Sequence, residues 1–503
     1  MSRLNNSNSI SSGTDVPKKK FSKEKKQSKM NQADVLIELA QEEEDCFFHD
    51  QFKEAYVAIK KGSNLQILKL LSEDYRLLLI YRYFKACYKS PSSESIKQAR
   101  MLLESLSRIE GETVPLSYRC TSTDDAIYYD LCGGDWSFVK ITKYGWQVNT
   151  EPTILFKRTT SMTAQTKLEI TSSSIQDIHL LNKHYKFRSK DDELLHIIQV
   201  VTSFLSISHP LTVYSGEQGS AKTTSIRMDR SIIDPANPDV ISFPKGGNNL
   251  SLALNNHYIS CFDNVGNISN EESNILCTAV TGGGISLRKL YTDDEETVYS
   301  YKVPVFMNGI NIIATKPDLL DRSVLLELDR IASNERKEEA VIWKDFETDK
   351  AKILGAIFSI ISGAMVLYPE VKLENLSRMA DYTRWGFAIA EVIGLGGDNF
   401  LNAYENNQKK ASSEALANQP IYQCLELVMQ DKLYFEGTAT ELLQKLNTVR
   451  ASEQISNFSD WPKEPNILSR RLKEMQTNLT EHGMHLKFKK MNIGRRIVIE
   501  KKA

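Results

Sequence analysis

PLTVYSGEQGSAKTT, residues 210–224, decides the fold. Pro210 to Tyr214 read as a short apolar strand, Gly216 to Ala221 as a small-residue loop, and Lys222 to Ile233 as a helix. Strand, loop and helix in that order are what a nucleotide polyphosphate needs. Backbone N–H groups of Gly216, Glu217, Gln218, Gly219, Ser220 and Ala221 wrap the β-phosphate, and the helix N-terminus adds positive potential. Lys222 is placed to bridge the β- and γ-phosphates, the Thr223 hydroxyl to take one Mg²⁺ position, and Thr224 to continue the binding turn. The second glycine of G-x-x-x-x-G-K-T is Ala221 here. Alanine is the smallest replacement and tolerates helical φ/ψ, so the loop reads as a variant.

Three further stretches follow within about a hundred residues. YISCFDN is an apolar strand ending in Asp263-Asn264, and a carboxylate at such a strand end is what a Mg²⁺ shell beside the loop requires. VPVFMNGI is another apolar strand, ending in Asn308, whose amide is suited to orient an attacking water. LLDRSVLLEL sets Arg322 between two apolar runs, as in ring ATPases whose arginine crosses to the neighbouring subunit's site.

The order and compactness of GEQGSAKTT, YISCFDN, TGGGISLRKLYTDDEE, VPVFMNGI and DLLDRSVLLEL resemble the superfamily 3 and related AAA+ replicative helicases of phages, plasmids and integrated mobile elements. Weaker similarity runs upstream through AIYYDLCGGDWSFVKIT and downstream to the C-terminus. The resemblance implies a hexameric ring that hydrolyses ATP with Mg²⁺ while moving on single-stranded DNA. By position it makes Lys222 and Thr223 the Walker A pair, Asp263 the Walker B aspartate, Asn308 sensor 1 and Arg322 the arginine finger. Thr223 and Asp263 are then the metal-binding residues. Asn264 stands where many relatives have a second carboxylate, and an amide cannot accept a proton from water. Glu271 or Glu272 is the alternative general base.

TGGGISLRKLYTDDEETVYSYKVP, between the Asp263 and Asn308 strands, has the glycines, alternation and polar turn of a β-hairpin. In the helicases it resembles, such a hairpin carries a basic residue into the central channel. Arg288 and Lys289 are the matching residues, and cationic contacts to phosphate fix position without reading sequence. An ordinary solvated hairpin is the alternative.

The 503 residues, 41% hydrophobic and 25% charged, suit a soluble globular protein of three or four domains. No secretory signal is visible, and the longest apolar stretch, ILGAIFSIISGAMVLY from Ile353, is short for a bilayer and interrupted by Ser and Gly. Seven scattered cysteines without C-x-x-C argue for reduced thiols in the cytoplasm and against structural zinc; His482 and His485 lack paired cysteines. The net charge of −1 hides a polarity: residues 1–30 hold eight Lys/Arg against two acids, and residues 467–503 hold ten against three. Basic ends on an acidic body point to nucleic acid held at defined places.

The chain divides into a disordered basic tail (1–30), a helical N-terminal domain (31–112), a small β-rich domain (113–190), the P-loop ATPase core (191–335), a helical lid (336–405), a polar linker (406–420) and a C-terminal winged helix (421–503). The fold class is therefore multi-domain α/β with an AAA+-like core. Tyr128, Tyr129, Trp136, Phe138, Tyr144 and Trp146 in the β-rich domain suit either a base-stacking platform or a core, and strand spacing favours the core. Arg378 and Arg384 in the lid are candidate phosphate sensors. Arg470, Arg471 and Lys473 fall on the expected recognition helix, with Lys487, Lys489, Lys490, Arg495 and Arg496 on a basic wing suited to duplex DNA. The sequence thus predicts a cytoplasmic, ring-forming, ATP-dependent DNA helicase that binds single-stranded and duplex DNA. The rivals are an ATP-controlled replication initiator without motor activity and a P-loop ATPase of a host-defence system.

Overall fold

The computed structural model describes residues 30–42, 45–61, 64–151, 153–168, 174–288, 296–309, 317–374, 376–417, 419–453, 461–491 and 494–501. The expected basic tail lies outside them except for Met30. The chain forms two compact units. One comprises residues 1–171 with 204–206 and 234–237, and the other the remainder.

The first unit starts with α1 (Gln32–Glu42), β1 (Cys46–His49), β2 (Ala55–Lys61), β3 (Asn64–Lys69), α2 (Glu73–Cys87) and α3 (Ser93–Ile109). The region expected to be helical therefore contains a three-stranded antiparallel sheet of order β1-β2-β3. NLQILKLL satisfies helical spacing and strand alternation equally, and pairing with β2 settles which one forms. Ser72 and Ser92 cap α2 and α3 by accepting from Tyr75 N–H at 3.3 Å and Ser95 N–H at 3.1 Å. The helices and sheet close over Leu36, Val57, Leu79 and Leu103.

A four-stranded antiparallel sheet follows in the same unit: β4 (Cys120–Ser122), β5 (Ile127–Asp130), β6 (Phe138–Thr142) and β7 (Gly145–Asn149), in that spatial order. Tyr128, Tyr129 and Phe138 are buried, and Trp136 stacks under Arg158, whose guanidinium carbon lies 3.7 Å from the ring centroid. Tyr144 on the β6–β7 turn is the one fully exposed member of the six aromatics. Tyr128, Tyr129 and Phe138 thus serve the core, as strand spacing favours. Fully buried Arg119 pairs with Asp234 at 2.7 Å and donates to the carbonyls of Asp130, Thr163 and Pro235, which satisfies a charge that burial would otherwise penalise heavily.

The second unit opens with a 3₁₀ turn over Ile175–Leu180, then α4 (Leu181–His184), α5 (Lys190–Thr202), β8 (Leu211–Ser215), α6 (Lys222–Ile233), β9 (Ile241–Ser242), α7 (Gly247–Asn255), β10 (Ser260–Asp263) and α8 (Asn270–Thr281). The hairpin β11 (Gly283–Arg288) and β12 (Glu296–Tyr301) comes next, then β13 (Val305–Asn308), α9 (Pro317–Leu320) and β14 (Ser323–Glu327). Strands β14-β8-β13-β10-β9 form a parallel sheet in that order. Its strands are almost wholly apolar and buried, as a sheet covered on both faces must be. The chain is thus multi-domain α/β. Parallel pairing brings every strand's C-terminal end to one edge of the sheet, where open α/β sheets hold their ligands.

Helices α10 (Glu339–Leu367), α11 (Ala380–Val392) and α12 (Gly397–Ala417) follow. Among the described residues one stretch, Glu339–Glu370, is long and apolar enough to cross a membrane. Phe346, Ile353, Leu354, Ile357 and Ile361 of α10 are nevertheless buried within the protein, as in the core helix of a globular domain. The stretch 406–420, expected as a linker, is helical to Ala417. Its polar residues cover an exposed face, while Ala411 joins the core of the parallel sheet. Asn407 is buried and makes two hydrogen bonds with the Leu325 backbone, from Nδ2 at 2.6 Å and to Oδ1 at 2.9 Å, satisfying the edge of β14.

The C-terminal part is α13 (Pro420–Val428), β15 (Tyr434–Gly437), α14 (Ala439–Ser452), α15 (Pro465–Glu474), α16 (Gln476–Glu481), β16 (Met484–Met491) and β17 (Gly494–Lys501). The three strands pair antiparallel in the order β15-β17-β16 over a core of Leu425, Leu446, Leu468, Leu472 and Ile499. The expected recognition helix is two helices, broken at Met475.

Candidate functional site

The loop between β8 and α6 is shaped by two glycines and one alanine. Gly216 has φ +142°, and a Cβ there would come within 2.4 Å of the Leu328 carbonyl oxygen, so no larger residue fits. Gly219 has φ +86°, and a Cβ on it would lie 3.2 Å from the Arg336 guanidinium. Ala221 has φ +60°, the left-handed region and not the helical conformation expected of it. An L-residue there costs about 1–2 kcal/mol. Ala221→Gly should relieve that cost, less about 0.5–1 kcal/mol for the greater freedom of glycine in the unfolded chain. Chemical denaturation is therefore expected to show a small net gain in stability. A loss would mean that the left-handed conformation is not what this position demands.

Lys222 opens α6, and its ammonium donates to the carbonyls of Gly216 at 2.8 Å and Glu217 at 2.9 Å. Burial lowers its pKa from the ordinary lysine value. A cation half withdrawn from water and satisfied by two neutral carbonyls is well placed to exchange them for an anion.

Asp263 ends β10 and Asn308 ends β13, and β13 lies between β10 and β8, so sheet order brings both residues to the loop. The Thr223 hydroxyl donates to Asp263 Oδ1 at 2.9 Å, and Asn308 Nδ2 lies 3.4 Å from that hydroxyl. Asn264 has φ +51°, a conformation asparagine tolerates better than most residues, and its N–H donates to Asn308 Oδ1 at 2.8 Å. Thr223, Asp263, Asn264 and Asn308 thus form one connected group, with Lys222 next to Thr223 at the start of α6.

Beneath it, Asp229 on α6 is fully buried and accepts from Tyr185 at 2.7 Å, from His196 at 2.9 Å and from the Tyr214 hydroxyl. This network fixes the loop helix to β8. Beside the loop is a cavity of about 460 Å³ lined by Lys186, Arg188, Glu217, Asp329 and Arg330. The sequence reading missed Arg336, Lys186 and Arg188, which lie far from the motif along the chain and carry no local signature.

Glu272 is not free to act as a general base. Its carboxylate caps α8 by accepting from Ser269 N–H at 2.8 Å and also accepts from Gly246 N–H at 3.1 Å. Burial opposes its ionisation, yet these N–H donors hold its pKa below the ordinary value. Glu271 lies against Gly247, where a Cβ would meet its carboxylate at 2.2 Å.

Arg322 is not brought to the loop of its own chain. Its carbonyl accepts from Leu211 N–H at 2.7 Å, which places it at the N-terminal edge of the sheet, a strand length of roughly 15 Å from the loop. Its guanidinium pairs with Asp318, which also holds Arg378 at 2.7 Å. Arg384 donates to the carbonyls of Val371 and Tyr368 and stacks on the Tyr368 ring. Both lid arginines are thus engaged by partners other than the loop.

The β11–β12 hairpin is present, with Arg288 paired in register to Glu296. The Arg288 side chain and Lys289 lie outside the described residues. On β16 and β17, Lys489 stands opposite Arg496 and Lys490 opposite Arg495. Like charges directly across an antiparallel pair are destabilising. Lys487 pairs with Glu500 at 2.9 Å, Arg470 lies 3.9 Å from Glu474, and Lys473 lies over the Phe488 ring. His482 is engaged by Ser413 and the Asn478 carbonyl.

Residues 178–409, which hold this whole group, match the family model of the actinomycete integrative conjugative element replication protein, AICE RepA. Residues 419–503 match the AICE RepA C-terminal domain. Over these residues the chain belongs to this replication-protein family. The role that the family carries is replication of a mobile element. No curated protein matches the chain. Among solved structures, it is similar to "The A form apo structure of NrS-1 C terminal region-CTR", at 12% identity and a TM-score of 0.40, over 93% of this chain and 99% of that one. It is also similar to "The apo structure of NrS-1 C terminal region (305-718)", at 11% identity and a TM-score of 0.38, over 94% of this chain and 100% of that one. At these scores the likeness carries no argument.

Proposed function

We infer that this replication protein is an ATP-dependent DNA helicase whose subunits assemble into a ring, with an AAA+-like core. The observation that carries the reading is the convergence of Lys222, Thr223, Asp263 and Asn308 at the C-terminal edge of a parallel sheet, around a loop that excludes side chains at Gly216. The loop N–H groups and Lys222 hold the β- and γ-phosphates, and the adjacent cavity of about 460 Å³ is of a size to take the nucleoside.

The residues present fit Mg²⁺. The Thr223 hydroxyl and the Asp263 carboxylate, 2.9 Å apart, are two hard oxygen donors side by side. Mg²⁺ is held by one or two such groups plus substrate phosphates and needs no all-protein cage. When bound, it neutralises charge on the phosphates. Asn308 orients the attacking water, and Asn264 cannot take its proton. Of the two glutamates considered, Glu271 remains for that role, since Glu272 is committed to its capping contacts.

The C-terminal helices and three-stranded sheet have the order of a winged helix. Arg496 is offset by Glu436 at 3.5 Å, but Lys490 faces Arg495 and Lys489 stands beside them; a polyanion would neutralise this cluster, so this end binds the phosphate backbone of duplex DNA. Arg470, Arg471, Lys473 and Lys487 extend the same basic surface. The β11–β12 hairpin contacts single-stranded DNA through Arg288 and Lys289. A second reading, an initiator in which ATP controls assembly without movement, is favoured by the amide at Asn264.

Strand displacement on duplexes tailed on either side, with ATP, separates the two. Unwinding is expected and should be lost in Arg288→Ala/Lys289→Ala, with basal ATPase and duplex binding retained. Arg470→Ala/Arg471→Ala/Arg495→Ala should instead weaken duplex binding and flatten its salt dependence by about one unit of slope per lost contact. ATP hydrolysis without displacement of any tailed duplex would favour the initiator.

A further inference from the structure

Helix α2 in the first unit has two apolar faces. Tyr75, Leu79 and Tyr83 on one of them are buried in the core, while Leu77 (52% exposed), Tyr81 (57%), Phe84 (49%) and Tyr88 (81%) stand on the other. Steps of four, three and four residues align them along one side of the helix, the spacing of a seam that packs against another helix. The stripe is ordered within itself: Phe84 and Tyr88 meet edge to face at 6.2 Å, and the Lys85 ammonium lies 5.6 Å from the Tyr81 ring centroid. A contiguous row of large apolar side chains on a protein surface marks an interaction site.

Charge says what covers it. The exposed acids Glu73 and Asp74 stand at the start of the helix, and the exposed Lys85 and Lys89 stand at its end. Asp74 lies one turn before Leu77 on the same side. A single strand of nucleic acid following the stripe would suit the lysines but would meet Asp74 on the same side, whereas Glu73 is held by Arg76. A second copy of the helix in parallel would set Asp74 on Asp74 and Lys89 on Lys89. A second copy in antiparallel orientation centred on Tyr81 sets Tyr81 on its own symmetry mate, Leu77 opposite Lys85, and the acidic start of one helix, with Asp74, beside the basic end of the other, with Lys85 and Lys89. That arrangement is self-complementary in both shape and sign, which a twofold interface requires.

We propose that this face of α2 is a twofold contact between copies of the chain, with two α2 helices packed antiparallel about Tyr81. The proposal concerns the first unit and does not depend on the ATPase reading.

The test uses the full chain. In Tyr81→Cys, mild oxidation should give a disulfide-linked dimer well above the background of the native cysteines, because the residue meets itself across the axis. Asp74→Cys should remain at background, while Asp74→Cys/Tyr88→Cys should cross-link. In sedimentation, Asp74→Lys should weaken this association roughly tenfold, since two exposed charge pairs become repulsive. Adding Lys89→Asp to it should restore the association. Cross-linking at Tyr81 no better than background, or sedimentation unchanged by the Asp74 reversal, would overturn the proposal. Loss of single-stranded DNA binding in Tyr81→Ala/Phe84→Ala with the association intact would overturn it too, and would make the face a nucleic-acid platform.

Discussion

Lys222→Ala is expected to reduce ATP hydrolysis by about 10²–10³-fold or more, the scale of losing one charge-stabilising group from a catalytic site. The lysine is the residue that sets a cation inside the loop, its ammonium 2.8 and 2.9 Å from the Gly216 and Glu217 carbonyls. In their place a γ-phosphate would offer an anion, and transfer increases the demand for positive charge there. Arg336 stands beside Gly219, three residues before the helix start that Lys222 occupies, and is not expected to take the lysine's place. Fold and assembly should be unaffected, because the lysine is not among the buried residues and its ammonium bonds to loop carbonyls. Phosphate release by the purified variant measures this directly. Near wild-type turnover would remove the loop from the chemistry.

Much of this site was legible because its parts are local. A phosphate loop must be contiguous, and a strand ending in Asp263 or Asn308 declares itself by an apolar run that stops on one polar residue. Their assembly was less legible, since it depends on β13 lying between β10 and β8. The conformation of Ala221 was misjudged for a different reason: residue size is written in the sequence, but the sign of φ is set by how the loop meets α6. Asp229 with Tyr185, His196 and Tyr214 could not be seen, because these residues meet only after β8 and α6 have packed. The helical reading of 31–112 failed at NLQILK, where two periodicities fit equally. The linker reading of 406–420 failed because a polar composition hides the few residues, Asn407 and Ala411, that face the sheet.

The second large effect concerns Arg322. It lies at the opposite edge of the sheet from its own loop and is held by Asp318, so within one subunit it has no part in catalysis. In a ring it would face the neighbouring subunit's γ-phosphate, leaving Asp318 for an anion of greater charge. A guanidinium in that position stabilises charge that develops in the transition state. Arg322→Ala should therefore bind nucleotide, assemble and lose turnover by about 10³–10⁵-fold. Arg378, sharing Asp318 at 2.7 Å, makes Arg378→Ala an informative companion, since its loss would leave Arg322 more tightly held by the same carboxylate.

The most direct test of a shared ATP site mixes Lys222→Ala with Arg322→Ala, each inactive alone, under conditions where exchange of subunits is verified. Some boundaries in a mixed assembly then join an intact Lys222 in one subunit to an intact Arg322 in the next. Recovery of ATP hydrolysis above both parent variants is the predicted result. Mixed assemblies as inactive as their parents would contradict it.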